Sequence, residues 1–590
     1  MSNLPLIYKI EDNEKALLDF RDKMRAEKES VRNIILEYPT VYIHSCEKNN
    51  QYEVYVGETS DIIRRTRQHY DVAKDVHKDS WQKDFQHNPS SLYIIGHDHF
   101  NKSLTLDIEH RLMLYLTGVK GISKIHNARG NEQNQYYTSD EFDEVFSKIW
   151  RKLSRQNSDL FPTESIVKDS ALYKASPLHK LTEEQKEAKY KIIDKVKAAL
   201  MKDQMGQIIF IAGSAGTGKS VLISSLFYDL IANVEESDFD AVKCFLLVNH
   251  DEQLIVYQQI AEKLGLNKKR DDVVCKPTHF INTHPKGDAA DVILVDEAHL
   301  LWTQGKQAYR GKNQLDDIKD RARVVVVIFD EKQILRTEQY WEAQLLGKLV
   351  DQAKAEDSYI ELKNQLRINA DEKTIDWIRN FIDKGEIAEI PRDSKGYEIT
   401  IYDTPDELQR EIEKKAMKKD TSLSRIIATF DWAYNDKKMP SNLQRYWEVM
   451  IGGGKMPWNK KPAPAKKEKT QMKNLAWAEK PYTIGEVGST YTIQGFDLNF
   501  AGVILGPSVK YRDDKVVFDW ECSENRRAIQ KRTLSDGTSR QFAELLLRNE
   551  INVLLTRGVN GLYIYAQDEA LRAALKAAVR AAGSEDNNII

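Results

Sequence analysis

The clearest chemistry in this chain lies in eight consecutive residues, Gly213-Ser-Ala-Gly216-Thr-Gly218-Lys219-Ser220. They follow the apolar run QIIFIA and precede the apolar run VLISSLF, so the spacing predicts a strand, a tight loop and a helix. Glycines at 213, 216 and 218 let the backbone wrap phosphate oxygens without a Cβ clash, and the helix N-terminus adds aligned N–H groups. Lys219 would neutralise the β/γ-phosphates and Ser220 would ligate Mg²⁺. The segment is a P-loop and implies ATP and Mg²⁺ as cofactors. A second run, DVILV, ends in Asp296-Glu297-Ala298-His299. Acidic residues at the C-terminal edge of a strand sit where ligands bind in parallel sheets. Asp296 would hold Mg²⁺ through water, and Glu297 would orient and deprotonate the attacking water.

Four further segments fit a motor better than a simple kinase. Leu181-Thr-Glu-Glu-Gln185 precedes the P-loop, where Gln185 can read an adenine edge. RVVVVIFD runs into Asp330-Glu-Lys-Gln333, which places Gln333 near the γ-phosphate. Asn364-Gln-Leu-Arg367 and Asn552-Val-Leu-Leu-Thr-Arg557 each offer an arginine to the phosphates. Arginines fed from a second lobe stabilise transition-state charge and couple hydrolysis to closure. Alone, either is an ordinary salt-bridge residue; their order carries the reading. That order resembles the superfamily 1 helicases, and Thr490-Tyr-Thr-Ile-Gln494-Gly495-Phe-Asp497 is similar to their fifth motif, which implies roles for Gln494 and Gly495 at the nucleotide. More closely, residues 181–575, through SRIIATFDWAY and GSTYTIQGFDLNFAGVILG, resemble the Schlafen-type group-3 helicase-like family. The resemblance implies nucleotide hydrolysis on two RecA-like lobes and a nucleic acid partner.

A second constellation lies near the N-terminus. Tyr42 stands in Thr-Val-Tyr-Ile, and Tyr55-Val-Gly57 follows on the next predicted strand. Arg64, Arg65 and His69 lie on the helix beyond, Glu109 in LTLDIEHRLMLYL, and Asn127 in KIHNARGN. Each residue alone is ordinary for its element; the joint spacing is not. Over roughly residues 38–140 the set resembles the GIY-YIG nuclease domain, with Thr-Val-Tyr in place of Gly-Ile-Tyr. The resemblance implies that Tyr42 accepts a proton from water, that Tyr55 shapes the site and that His69 assists. It further implies that Glu109 holds a single Mg²⁺, that Asn127 braces the pocket and that Arg65, ten residues after Tyr55, clamps phosphate. A guanidinium fork suits phosphate, and hydrolysis needs charge neutralisation around an activated water. His97, Asp98 and His99 in GHDHF are read as a turn, since neighbours on a strand point to opposite faces.

These residues need elements to hold them. Residues 12–38 show helical spacing (Leu17, Leu18, Phe20, Met24), and TVYIHS and YEVYV read as strands joined by EKNNQ. A basic helix is expected from about Asp61 to Tyr70, and 103–117 as an amphipathic one. The β-branched runs QIIFIAG, CFLLVN, DVILVDE and RVVVVIFD, then SRIIATF, FAGVILG and GLYIYA, predict two parallel sheets. The expected fold class is α/β: a small GIY-YIG nuclease domain plus two RecA-like P-loop lobes. The expected boundaries are an N-terminal helical segment (1–37), the nuclease domain (38–157), a linker or docking strap (158–180), a first lobe (181–355), a second lobe (356–580) and a tail (581–590). A Lys/Pro-rich stretch at 459–473 reads as a solvated loop.

The 590 residues exceed one hydrophobic core, and 41% hydrophobic with 30% charged residues is ordinary for a soluble protein. A net charge of -3 excludes a polycation and leaves room for local basic grooves. The scattered Cys46, Cys244, Cys275 and Cys522 match no zinc spacing, no run reaches the ~18 apolar residues of a membrane span, and no secretory signal is evident. The expectation is a cytoplasmic enzyme with no membrane partner. DNA is preferred to RNA, and a homo-oligomer or a partner protein from the same defence system is allowed. Three modes stay open: a motor that delivers DNA to a nuclease, in bacterial defence or in repair; a nucleotide or nucleic acid sensor that releases a restrained nuclease; and an inert nuclease fold that only docks DNA.

Overall fold

The computed structural model describes residues 4–583 apart from 75–79, 128–135, 203, 233–241, 267–271, 288–289, 306–308, 436–437, 439, 441–445, 452–453, 460–471 and 473–474. The Lys/Pro-rich stretch thus lies, but for Asn459 and Met472, outside the described residues, as does most of the 581–590 tail. The chain divides into two compact units. The first comprises Met1–Thr182, Ser224–Asp240 and Val256–Val274; the second comprises Glu183–Ile223, Ala241–Ile255 and Cys275–Ile590. The expected first lobe therefore contributes two stretches to the first unit.

The first unit is built on a five-stranded sheet in the order β1-β4-β2-β3-β5, from β1 (Leu6–Glu11), β2 (Thr40–Lys48), β3 (Gln51–Thr59), β4 (Ser90–Gly96) and β5 (Ile122–Ile125). A two-residue turn joins β2 to β3, with Asn49 and Asn50 both at positive φ (54° and 61°), where asparagine is tolerated. This turn fixes the register that sets Tyr42 opposite Gly57 and His44 opposite Tyr55. Side chains alternate across a strand. Val41, Ile43, Val54 and Val56 accordingly pack on one face with Leu104, Ile108 and Leu112 of α5. Tyr42 faces the other way, among Leu17, Phe20 and Met24 of α1, Ile62 and Tyr70 of α3, and Ile94. The helices are α1 (Glu14–Arg25), α2 (Glu29–Leu36), α3 (Ile62–Lys74), α4 (Trp81–His87), α5 (Lys102–Gly118) and α6 (Phe142–Gln156).

Two expectations change here. Helix α5 is not amphipathic to its end: every residue from Leu112 to Gly118 is buried, because α6 and two short helices, α7 (Glu164–Asp169) and α8 (Ala171–Lys174), pack around it. Those short helices come from 158–180, which is no free linker. Its Leu160, Phe161, Val167 and Leu178 join the core of Tyr115 and Trp150, and Trp150 Nε1 donates to the Pro162 carbonyl at 2.7 Å.

In the second unit α9 (Glu183–Leu200) leads into a six-stranded sheet ordered β11-β6-β10-β9-β7-β8. Its strands are β6 (Gln207–Gly213), β7 (Cys244–Val248), β8 (Val274–Cys275), β9 (Ala290–Asp296), β10 (Ala322–Phe329) and β11 (Tyr359–Leu362). Helices α10 (Lys219–Ala232) and α11 (Asp251–Lys263) follow β6 and β7. The pairs β6–β10, β6–β11, β9–β10 and β7–β9 are parallel, with Ala212 beside Phe329 and Val295 beside Val327. The C-terminal ends of β6, β10 and β9 therefore align at one edge.

The second parallel sheet runs β12-β22-β17-β13-β16. In chain order its region holds β12 (Glu398–Ile401), β13 (Arg425–Ala428), the hairpin β14–β15 (Glu448–Ile451, Gly454–Pro457), β16 (Val487–Ser489) and β17 (Leu498–Leu505). The hairpins β18–β19 (Val509–Arg512, Lys515–Phe518) and β20–β21 (Arg532–Thr533, Ser539–Arg540) follow, then β22 (Gly558–Ala566). Trp377, Phe381, Ile551, Leu554, Leu571 and Leu575 cover one face from three helices; Leu408 and Ile412 of a fourth helix cover the other. Both sheets are of the parallel α/β kind from which RecA-like lobes are made.

Candidate functional site

The loop after β6 has its glycines where side chains are excluded. Gly216 and Gly218 lie at φ 92° and 75°. A Cβ on Gly218 would sit 2.1 Å from Gln185 Nε2, and one on Gly216 would sit 2.9 Å from Arg367 Cβ. A Cβ on Gly213 would meet Thr217 Oγ1 at 2.8 Å. Gln185, predicted to approach the nucleotide, donates to the carbonyls of Thr217 and Gly218 at 3.4 and 3.3 Å, so the start of α9 is docked on this loop. Lys219 is buried at the start of α10, and its Nζ donates to the Gly213 and Ser214 carbonyls at 2.6 and 2.7 Å. Ser220 stands in the first helical turn beside it.

The neighbouring strand ends bring acids to the same edge. Asp330, directly after β10, lies with Oδ2 3.5 Å from Lys219 Nζ. Burial disfavours its charge, but Lys219, with His299 and the Gln333 amide behind it, outweighs burial and holds the carboxyl below its ordinary range. Asp296 ends β9 and accepts from Gln253 Nε2 at 2.9 Å. Glu297 adopts a left-handed backbone (φ 50°), rare for a residue with a side chain, and its N–H donates to Asp296 Oδ1 at 3.0 Å. Its Oε2 lies 3.3 Å from Nε2 of the buried His299, whose protonation burial disfavours.

The second sheet delivers its arginine to this edge. Gln333 Nε2 donates to Asp330 Oδ2 at 2.7 Å, and Arg557 Nη2 donates to Gln333 Oε1 at 3.0 Å. Arg557 is sealed from solvent at the end of the helix Ala543–Leu555; its Nε and Nη1 donate to the carbonyls of Val553 and Phe496. Burial, then the nearby Arg367, pushes its pKa down to about 9. Gln494 Nε2 donates to the Gln333 carbonyl at 3.1 Å, and Gly495, at φ 86°, approaches Gln253. Arg367 pairs with Asp497 at 2.5 Å. The residues expected at the nucleotide thus assemble, with Lys219, Asp330, Gln333 and Arg557 as an unbroken polar chain from one sheet to the other. This cradle, which tolerates no Cβ and carries a buried lysine beside the strand-end carboxylate of Asp330, fits a nucleotide polyphosphate with a divalent cation.

Sequence reasoning missed Asp330, Gln253, His299 and Asp497 as site members. Asp330 carried a signal, a carboxylate directly after a strand of the P-loop sheet. His299 and Asp497 stood inside quoted motifs. Gln253 had none, because only tertiary packing brings the first turn of α11 to Asp296.

In the first unit, Tyr42, Tyr55, Arg65 and His69 do converge. Tyr42 Oη lies 3.1 Å from His69 Nε2 and accepts from Arg65 Nε at 3.4 Å. Tyr55 stacks between Tyr42 (6.2 Å) and Trp81 (4.5 Å). A Cβ on Gly57 would lie 2.5 Å from the Tyr42 hydroxyl, so glycine there is what makes room for the ring. Burial raises the Tyr42 phenol well above its ordinary range and lowers His69 to about 3. Tyr42 therefore keeps its proton, and His69 is a neutral imidazole. Arg65 is exposed, as a phosphate clamp would require. Asn127 Oδ1 accepts from the Val56 N–H at 3.1 Å and its Nδ2 bonds the Val56 carbonyl, bracing β3. Glu109 is half-buried on α5, whose core residues pack on the face of the sheet opposite Tyr42. Among the described residues no three His, Cys, Asp or Glu side chains converge as metal ligands. The GHDHF segment is a turn, with His97 Nδ1 accepting from the His99 N–H at 3.1 Å.

No helix among the described residues is long and apolar enough to cross a membrane. The uncharacterized protein YPL245W of Saccharomyces cerevisiae (strain ATCC 204508 / S288c) is 33% identical over 393 residues, 61% of this chain and 82% of that protein. The family model for the Schlafen group 3 DNA/RNA helicase domain matches residues 206–568, from β6 to just past β22. That span holds the P-loop, both strand-end acids and Arg557, and the chain belongs to the Schlafen group 3 DNA/RNA helicase domain family.

Proposed function

We propose that this chain is an ATP-hydrolysing motor of superfamily 1 type that acts on nucleic acid, DNA in preference to RNA. The observation that carries the reading is the polar chain Lys219–Asp330–Gln333–Arg557. Bound ATP with Mg²⁺ would supply a γ-phosphoryl group activated for attack by water, held by the 213–218 backbone, Lys219, Ser220 and Asp296. Glu297 orients that water and takes its proton, with His299 Nε2 3.3 Å from its Oε2. Arg557 reaches the developing charge from the second sheet, so the transition state is stabilised only while the two sheets stand together. Gln333 reports the same event, since it touches both Asp330 and Arg557. Lys219→Ala should abolish ATP hydrolysis while the fold survives, as judged by circular dichroism and a phosphate-release assay. Wild-type turnover in that variant would refute the motor. Glu297→Gln should still bind ATP and turn over slowly.

The Tyr42 cluster favours a second activity, phosphodiester cleavage by the first unit in the manner of a GIY-YIG nuclease. The specific support is the Gly57 gap that admits Tyr42 and the contact of its hydroxyl with both Arg65 and His69. Arg65 would clamp the phosphate and His69 would draw on the Tyr42 proton. Among the described residues no three His, Cys, Asp or Glu side chains gather, so Glu109 would hold a Mg²⁺ as a single carboxylate. A panel of linear, circular and single-stranded DNA and of RNA, with and without ATP and Mg²⁺, tests the activity. Arg65→Ala and Glu109→Ala should each remove cleavage, and cleavage that survives both would place the activity elsewhere.

A further inference from the structure

Behind the Tyr42 cluster stands a second, deeper pair. Asp12, at the end of β1, lies with Oδ2 2.6 Å from His44 Nδ1, and both side chains are almost wholly buried. The other carboxylate oxygen of Asp12 accepts from Tyr70 Oη at 2.8 Å. His44 and Tyr70 together outweigh the burial of Asp12 and hold it ionised. A carboxylate on Nδ1 fixes the neutral tautomer of an imidazole: Nδ1 carries the proton and Nε2 is bare. His44 Nε2 is buried and has no hydrogen-bond partner. It belongs to a ring enclosed by Tyr42 (5.5 Å), His69 (5.4 Å), Trp81 (5.4 Å) and Tyr55 (6.1 Å). An orphaned acceptor backed by a carboxylate, in a cluster of rings, is costly to bury unless it has work to do.

We propose that the Asp12–His44 pair is the proton acceptor of the Tyr42 cluster, which makes β1 a working part of the site. The inference rests on the cleavage reading for its consequence, not for its geometry. Tyr42 holds its proton and His69 stays neutral because burial disfavours the charged form of each. A balanced shift then connects them. The attacking water gives a proton to Tyr42 Oη as Tyr42 gives its own to His69 Nε2. His69 passes its Nδ1 proton to His44 Nε2, leaving hydroxide at one end and an imidazolium facing the Asp12 carboxylate at the other. The last transfer needs the two imidazoles to close on each other. Among the described residues, Tyr42, Tyr55, Tyr70, Arg65 and Asp12 are the titratable groups beside the two histidines, and Asp12 is the carboxylate among them.

The test is ¹⁵N-histidine NMR on the full chain, with His44→Gln and His69→Gln used for assignment. His44 should show the Nδ1–H tautomer, and Asp12→Asn should abolish the fixed tautomer. A neutral His44 protonated on Nε2 would overturn the proposal whether or not the chain cleaves anything. In the cleavage assay Asp12→Asn and His44→Gln should each lose roughly 10²-fold and shift the acidic limb of the pH profile. Activity within about threefold of wild type in both, with Arg65→Ala inactive, would remove the pair from the reaction and leave the cleavage reading standing. Absence of cleavage in the wild type would refute the cleavage reading, and the NMR result would decide the pair by itself.

Discussion

Arg557 should act on the rate of hydrolysis rather than on nucleotide affinity. Its guanidinium is already spent on Gln333 and two carbonyls, so it adds no ground-state contact that sets nucleotide affinity. Arg557→Ala should lower kcat by on the order of 10³-fold with KM little changed, by analogy with arginine fingers. A change confined to KM in steady-state assays would point to a ground-state role. Gly57 offers a test in the first unit. A methyl group there would collide with the Tyr42 hydroxyl at 2.5 Å, and overpacking of a filled core costs about 1–3 kcal/mol. Gly57→Ala should therefore lower the urea midpoint of the first unit and displace Tyr42; an unchanged midpoint would mean the ring has room to move. The P-loop was legible because glycines and a lysine at fixed offsets have few other uses, and the acids ending β9 and Arg557 because they follow it in a set order. The bond between Gln253 and Asp296 was not, because nothing in the spacing of a helix reveals which strand end its first turn will meet.

At the scale of elements, α5 and α11 meet through one unusual contact. Lys263, the last residue of α11, is buried and donates to the carbonyls of Thr117 and Val119 at the C-terminal end of α5. Burial, then Lys120, pushes its pKa down to about 7. The unfolded chain holds this proton up to the ordinary lysine range and the folded chain releases it near neutrality. The contribution to stability is therefore present above that range and lost as pH falls through about 7. The full span corresponds to roughly 5 kcal/mol as an upper figure. Urea unfolding of the first unit should show stability rising from pH 7 to pH 10, and Lys263→Met should flatten that rise; an equal slope in both proteins would exonerate the lysine. The sequence showed α5 as a helix but not its full burial, because periodicity reports only one partner and α5 has several. The same limit hid the packing of 158–180, whose apolar residues are too few and too irregular to announce a core strand or helix.

Across the whole molecule, the β-branched runs were enough to foretell two parallel sheets, since strands buried on both faces read as continuous apolar segments. The order β11-β6-β10-β9-β7-β8 was not legible, because crossovers choose neighbours without leaving a mark on the strands themselves. The family match ends where the two proposed chemistries separate, with hydrolysis inside 206–568 and the Tyr42 cluster outside it. Lys219→Ala should therefore distinguish a feeding motor from a restraining one in an assay of DNA cleavage. Cleavage that falls with hydrolysis fits delivery of DNA, whereas cleavage that rises, or loses its inhibition by ATP, fits release of a restrained nuclease. The seclusion of Arg557 carries one more consequence. A guanidinium with no solvent-facing atom cannot be reached by an arginine-selective reagent such as phenylglyoxal until the two sheets part. The rate at which that single side chain is derivatised then becomes a clock for opening, read by mass spectrometry without any label on the protein. A ligand that holds the sheets together should slow the clock, and one that drives them apart should quicken it.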